Sequence, residues 1–412
     1  MIIERGRNCL KKFKQMNTFT LIALFCFAIG IHSSVSIPAG MHLFGFISGL
    51  YYAIKDKSIW KRLPLSSWAL VVFIAVFLAS GIINFSQMSE TSKSLGSVKY
   101  WLFGILFIFS ILHFPIPEKT KHIRIMVNLL LVSVILAGII GIIRSKWQID
   151  PLSFKSRSYH ERNGGFYGYM RYAYNLQFLL IFMTSLLFLK EKLKDFFNSK
   201  ILITAYVIGW IGMFASQTRG ALLGTIFGIL VLVFLINKKI GLILGGGILI
   251  ILLGALAVIF NGGSQKIRVL ERFNSSSNTM RLSQYHSALY AFKEKPFFGH
   301  GPLQLRHEVQ RIKASNNLEH KEYVGQHAHN IFLEHLADYG VIGLLFFTLW
   351  LILWGTELFT SSWMNKFIIL PCYAAIWISG QVEYLFNSTG SFTIMLLYSI
   401  SIASYLREKF KE

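Results

Sequence analysis

A chain of 412 residues that is 54% hydrophobic and only 15% charged carries more apolar side chain than a soluble globule needs, which excludes an ordinary water-soluble domain and makes lipid its main solvent. The formal charge of +22 reports topology first, because Lys and Arg accumulate in the cytoplasmic loops of membrane proteins, and on that ground no nucleic-acid partner is expected. Three cysteines, Cys9, Cys26 and Cys372, exclude a disulfide framework and a Cys-rich metal site.

Arg5, Arg7, Lys11, Lys12 and Lys14 precede an apolar run with no Ala-x-Ala-like cleavage site behind it, which predicts an uncleaved first helix. Apolar runs of roughly 15 to 23 residues, long enough to cross a hydrocarbon core, lie near 18–33, 39–54, 65–85, 97–114, 124–143, 172–189, 200–216, 220–236, 240–261, 331–353, 365–380 and 388–406. The expected fold is an all-α polytopic membrane protein of about twelve transmembrane helices. Helices 1–9 fall in residues 1–261, a large periplasmic loop with short helices in 262–329, and helices 10–12 in 330–412.

An even count puts both termini on one side, and both are basic, with Arg407, Lys409 and Lys411 at the C-terminal end. The positive-inside rule makes that side cytoplasmic. The short loops opposite hold only Lys93, Lys99 and Arg219, but two longer outer segments, 144–171 and 262–329, are basic. Anionic headgroups of the membrane lipids and an anionic substrate both account for that charge.

Seven of the twelve histidines stand between 286 and 335: His286, His300, His307, His320, His327, His329 and His335. Histidine is the side chain best suited to proton transfer near neutral pH. The run Gln326-His327-Ala328-His329-Asn330 invites a zinc reading, but no third ligand stands at a suitable spacing, so no metal is expected. Residues 281–292 place Leu282, Tyr285, Leu289 and Phe292 on one helical face, which predicts an amphipathic outer helix lying with that face on the bundle. Arg281, in its first turn, then points toward whatever the helix covers. Arg219 interrupts an almost uncharged stretch from Ile201 to Ile236, where an arginine must snorkel, pair or face a polar cavity. A diphosphate suits it, since guanidinium binds phosphate oxygens bidentately.

Asp occurs only at Asp56, Asp150, Asp195 and Asp338, never as Asp-x-Asp, and neither a Walker loop nor a Gly-x-Ser-x-Gly elbow appears. ATP-driven transport and ordinary serine hydrolysis lose ground. A transporter would spread charge through helix middles along a pathway; here the charges cluster outside the apolar runs.

On these motifs the chain resembles the bacterial O-antigen ligases, within the superfamily of O-antigen ligases and polymerases. The ligase pattern is His, then Asn, Ser or Gln, nine residues, Gly, two residues, and Gly, Thr or Tyr; here His329-Asn330 is followed by nine residues, Gly340, Val341-Ile342 and Gly343. Gln217-Thr218-Arg219 is similar to the family's Thr-Arg element, Met280-Arg281-Leu282 to its second essential arginine, and Pro296 to Gly301 to the turn that follows. The similarity covers residues 200–345, and the first half agrees only in hydropathy and span count.

The resemblance implies a metal-independent, cofactor-free, inverting transfer of O-antigen glycan from undecaprenyl diphosphate to a sugar hydroxyl of lipid A–core, at the periplasmic face of a Gram-negative inner membrane. It implies His329 as general base, Arg219 and Arg281 as catalytic groups holding the diphosphate, and His327 and Asn330 as supporting groups in substrate binding. Such a donor already carries a good leaving group, so no carboxylic acid is required beside it, unlike the glycosidases. Fixed arginines stabilise the departing charge. An O-antigen polymerase and a protein O-oligosaccharyltransferase of the same superfamily, and a membrane transporter from another class, are the alternatives. Phe166, Tyr167, Tyr169 and Tyr172, near Gly164, Gly165 and Gly168, suit either a glycan or lipid path or an interfacial aromatic belt.

Overall fold

The structure is a computed structural model that describes residues 17–32, 36–115, 120–150, 155–156, 164–166, 168–247, 276–318, 327–361, 363–386 and 388–410. Cys9, Tyr167 and His320 lie outside the described residues, as does the second half of the ninth apolar run. Among the described residues the chain is helical apart from a hairpin of two-residue strands, β1 (Ile149–Asp150) and β2 (Lys155–Ser156).

In chain order the helices are α1 (Asn17–Gly30), α2 (Ser36–Lys55), α3 (Lys57–Arg62), α4 (Leu65–Ile83), α5 (Thr91–Gly96), α6 (Val98–Leu112) and α7 (Thr120–Trp147). They continue with α8 (Tyr169–Phe188), α9 (Lys190–Leu193), α10 (Ser199–Ser216), α11 (Arg219–Ile236), α12 (Ser276–Glu294) and α13 (Leu305–Ser315). The last three are α14 (Ile331–Thr360), α15 (Asn365–Ser379) and α16 (Ser388–Phe410).

Each of the twelve apolar runs falls on a helix where it is described, the ninth on helical residues 238–247 that follow α11. Among the described residues six helical segments are long and apolar enough to cross a membrane: α4, α5 with α6, α7, α10, α11 and α14. A seventh is α8 joined to Lys190–Phe196, although the chain bends there by 96°. Of the twelve spans expected, six or seven are thus helices of spanning composition among the described residues. Helices α1 and α15 are short, and α2 carries Ser36, His42, Ser48 and two tyrosines that dilute its hydropathy.

Hydrophobicity gives membrane helices no reason to prefer one another over lipid, so small residues at the seams decide which pairs meet. Gly45 and Gly49 of α2 lie against Phe103 and Leu106 of α6. On α11, Gly220, Gly224 and Gly228 face Tyr174, Gln177 and Ile181 of α8 and Val382, Ser379 and Pro371 at or beside α15. That seam fixes the position of Arg219, one residue ahead of it. Trp101, Phe347, Trp350, Trp354, Phe386 and Tyr398 fill the interior where α6, α14 and α16 meet.

Helix α14 is two helices joined at a break. Gly340 has φ 67° and ψ −168°, and a β-carbon there would overlap the carbonyl of Phe297. The break strands backbone groups on either side, and the turn Pro296–Gly301 satisfies them. The His300 and Gly301 N–H groups donate to the carbonyls of Ala337 (3.0 Å) and Asp338 (2.9 Å), and Val341 N–H donates to Pro296 (2.8 Å). Asp338 then accepts from the N–H groups of Leu303 (3.0 Å) and Leu305 (2.8 Å), capping α13. Ser80 Oγ and Asn84 Nδ2, at the end of α4, donate to the carbonyls of Phe298 and Gly299 and hold the turn in place. The Pro-to-Gly stretch and the first motif glycine therefore form one joint.

The face of α12 differs from expectation. Its buried side is Ser283, Gln284, Ser287, Ala288 and Ala291, whereas Leu282 and Leu289 are exposed. Close packing on α14 and α13 selects small side chains there; Tyr285 and Phe292, the other two residues of the expected face, are half-buried, so only its leucine edge is turned away from the protein.

Candidate active site

The connection from α10 to α11 is two residues long. Gln217 takes a left-handed φ of 52°, Thr218 is extended, and Arg219 opens α11 with its side chain exposed. No side-chain hydrogen bond from Thr218 caps this helix start. Because Gly220 lies against the Tyr174 hydroxyl and Val382, Arg219 stands at the end of the bundle that also holds the turn 380–384.

Residues 327–330 enter α14 beside that turn. Asn330 is the N-cap: its Oδ1 accepts from the N–H groups of Phe332 (2.9 Å) and Leu333 (3.0 Å), and its Nδ2 donates to the Gln381 carbonyl at 3.2 Å. The Ile331 N–H donates to the Gly380 carbonyl at 2.8 Å. Entry and turn are thereby stitched together. His329 adopts a left-handed φ of 51°, a conformation worth roughly 1–2 kcal/mol of strain in a residue with a β-carbon. It directs the imidazole to Glu383, with Nδ1 3.0 Å from Oε2.

Glu383 is buried, and its other oxygen accepts from the Tyr384 N–H at 3.2 Å. An ionised carboxylate can only accept, so a neutral His329 paired with it donates from Nδ1 and keeps its lone pair on Nε2. That is the protonation pattern a general base requires. His327 makes a second such pair: Nδ1 is 3.0 Å from Oε1 of Glu334, whose Oε2 accepts from the Ala328 N–H at 2.6 Å. Burial alone pulls His327 down, but the Glu334 carboxylate reverses this by charge and hydrogen bond and leaves it raised.

Arg281 joins from α12. Tyr285, one turn on, donates its hydroxyl to the Gln381 carbonyl at 3.1 Å, and Arg281 and Glu383 both act electrostatically on that hydroxyl and on Tyr174. Arg281, His329 and Glu383 thus share one neighbourhood, with Arg219 reached through Gly220, Tyr174 and Val382.

The remaining histidines of the cluster disperse. His286 is exposed on α12, His300 is buried in the turn with Nε2 3.1 Å from the Ala291 carbonyl, and His307 stands beside Arg306. His335 is sealed in the core and stacked on Phe347. Among the described residues no three His, Cys, Asp or Glu side chains come together as a metal set.

The two carboxylates are what sequence reasoning missed. Attention to Asp-x-Asp pairs passed over glutamate, yet Gln381-Val382-Glu383 is a polar break between the last two apolar runs and Glu334 stands seven residues after His327.

Fold and site together define a multi-pass membrane protein with a histidine–carboxylate pair and arginine at one end of its helix bundle. Residues 204–348 match the family model described as O-antigen ligase, which supports membership of the O-antigen ligase and polymerase superfamily. The matched stretch contains Arg219, Arg281, His327, His329, Asn330 and the Gly340 break, and stops short of Glu383. No curated protein matches the chain.

Proposed function

We propose that the protein is an O-antigen ligase of the bacterial inner membrane, transferring glycan from undecaprenyl diphosphate to a sugar hydroxyl of lipid A–core on the periplasmic side. The observation that carries this reading is the His329–Glu383 pair beside Arg281, inside or next to the stretch that matches the family. The acceptor hydroxyl is a weak nucleophile; His329 Nε2 takes its proton as the oxygen attacks the anomeric carbon. Glu383 holds the ring in the correct tautomer and stabilises the imidazolium that forms.

On the opposite face of that carbon the bond to the diphosphate breaks, its electron pair stays with the leaving oxygen, and one further negative charge grows on a diphosphate that already carries two. Arg219, at the uncapped start of α11, and Arg281 stabilise this charge, with the helix N–H groups adding to the same field. A single displacement of this kind inverts the anomeric centre. No divalent metal is assigned a role, and Asn330 and His327 act by holding the entry to α14 in shape.

The test is a lipopolysaccharide gel of a deletion strain carrying the wild-type gene or a His329→Ala variant, with carrier-linked glycan assayed alongside. Ligation predicts bare lipid A–core with long polymer retained on the carrier. Single repeat units on lipid A–core would assign the polymerase reading, and normal lipopolysaccharide with unmodified glycoprotein would assign transfer to protein.

A further inference from the structure

Helix α12 exposes two leucines on the side that also carries exposed His286 and Lys293, while it buries small and polar side chains against the protein. Leu282 and Leu289, two turns apart on one face, are 54% and 40% exposed, and Phe297 just beyond the helix is 65% exposed. The face turned to the protein is serine, glutamine and alanine. In water an exposed leucine face opposed to a buried polar one has no driving force, whereas a helix lying in a bilayer surface is stabilised by it.

Position supports the same partner. At its middle α12 is tied through the Tyr285 hydroxyl to the Gln381 carbonyl, just beyond α15. Past its other end, the carbonyls of Pro296 and Phe297 accept from the N–H groups of Val341 and Ile342, where the spanning half of α14 begins. The second half of the helix is therefore held at both ends against α14 and the turn after α15 and does not project from them. Along α14 from that joint, Val341, Leu345, Ile352 and Phe359 form one exposed apolar stripe, so the surface at Phe297 is continuous with a membrane-facing surface.

We infer that α12 is an interfacial helix whose Leu282, Leu289 and Phe297 face is seated in the headgroup-to-acyl boundary of the bilayer leaflet at the active-site end of the bundle. Lys293 lies on the same side with its ammonium 5.2 Å from the centre of the Tyr290 ring, and its stem reaches along apolar surface while the charge stays among headgroups. One consequence rests on the proposed function, though the docking does not: Arg281, adjacent to Leu282, is held at the depth where a lipid-linked diphosphate presents its charge.

The experiment is nitroxide labelling of Leu282→Cys, Leu289→Cys and Phe297→Cys in a cysteine-free full-length chain, reconstituted in nanodiscs of phosphatidylethanolamine and phosphatidylglycerol. Exposed Ala314→Cys on α13 is the aqueous control. Membrane docking gives labels at the three positions that are relaxed more by oxygen than by a water-soluble nickel chelate, with the ratio inverted at Ala314. Nickel accessibility equal to that at Ala314 would overturn the inference, and so would shielding from both reagents, which would mean that another part of the chain covers the face. The unmodified protein supplies a second reading, since a phospholipid with an acyl-chain diazirine should label peptides spanning 280–297, and their absence from the labelled set would count against docking. Neither measurement depends on ligation.

Discussion

The Nδ1 atom of His329 lies 3.0 Å from Oε2 of Glu383, two residues brought from opposite ends of α14 and α15 and joined where both helices reach the same end of the bundle. The pair predicts that Glu383→Gln is more damaging than its small change in size suggests. An amide can donate to Nδ1, which drives the proton to Nε2 and removes the lone pair that attacks the acceptor's proton. Ligation should fall by about 10² or more, the scale of a lost general base, while protein level and thermal stability stay near wild type. Glu383→Asp should recover part of the activity, a rescue that a purely structural carboxylate has no reason to show.

His329→Ala and His327→Ala should separate the two imidazoles. Loss of His329 removes the base and should lower activity by about 10² or more with carrier-linked glycan accumulating. Loss of His327 leaves Glu334 its bond from the Ala328 N–H, so the entry is loosened and not dismantled. A smaller defect follows. Normal ligation by well-expressed His329→Ala would reject the assignment.

How far the site was legible in sequence depends on how local each part is. The helices followed from runs of apolar residues, because a membrane makes composition nearly sufficient. Arg219, Arg281 and His329 were named from short motifs, and the structure places them toward one end of the bundle. Glu383 did not, since its role exists only once the 380–384 turn is stitched to the α14 entry by Asn330 and Ile331. The orientation of α12 was misread at Leu282 and Leu289, because apolar periodicity identifies a face without saying whether protein or lipid receives it. Likewise Gly340 looked like a spacing marker for chemistry, and it is a joint in the backbone.

That joint predicts the outcome of Gly340→Ala. The left-handed φ of 67° and the overlap of the new methyl group with the Phe297 carbonyl act together, so the turn 296–301 must move away from α14. A loss of at least about 2 kcal/mol is expected from conformation and overpacking. It should be read as lower thermal stability in detergent and faster amide exchange at His300 and Val341. Unchanged exchange there would show that the break is not what holds the turn.

Arg219→Lys and Arg281→Lys keep charge and lose the planar fork. If both contact the diphosphate, each should weaken ligation by about tenfold or more, with donor affinity reduced, because a point charge replaces two aligned hydrogen bonds. EDTA should leave the wild-type reaction intact in a purified system. Full loss with EDTA and recovery with magnesium would overturn the arginine assignment.

The last prediction concerns pH. His327 is raised above its ordinary value of about 6.5 because the Glu334 carboxylate 3.0 Å away outweighs the burial that opposes charging it. A histidine whose pKa is higher in the folded state than in the unfolded one binds its proton more tightly when folded. Its stabilising contribution is therefore complete below the unfolded value and disappears as pH rises through the folded value. The turn 327–330 should accordingly loosen between neutral and alkaline pH, seen as faster exchange of the Ala328 N–H, which Glu334 also holds at 2.6 Å. Glu334→Gln should flatten that dependence, since the amide leaves burial as the main influence on His327, while His329→Ala, two residues away, should leave it in place. Exchange at Ala328 that is equally protected on both sides of neutrality in the wild type would show that the His327–Glu334 pair does not hold the entry to α14.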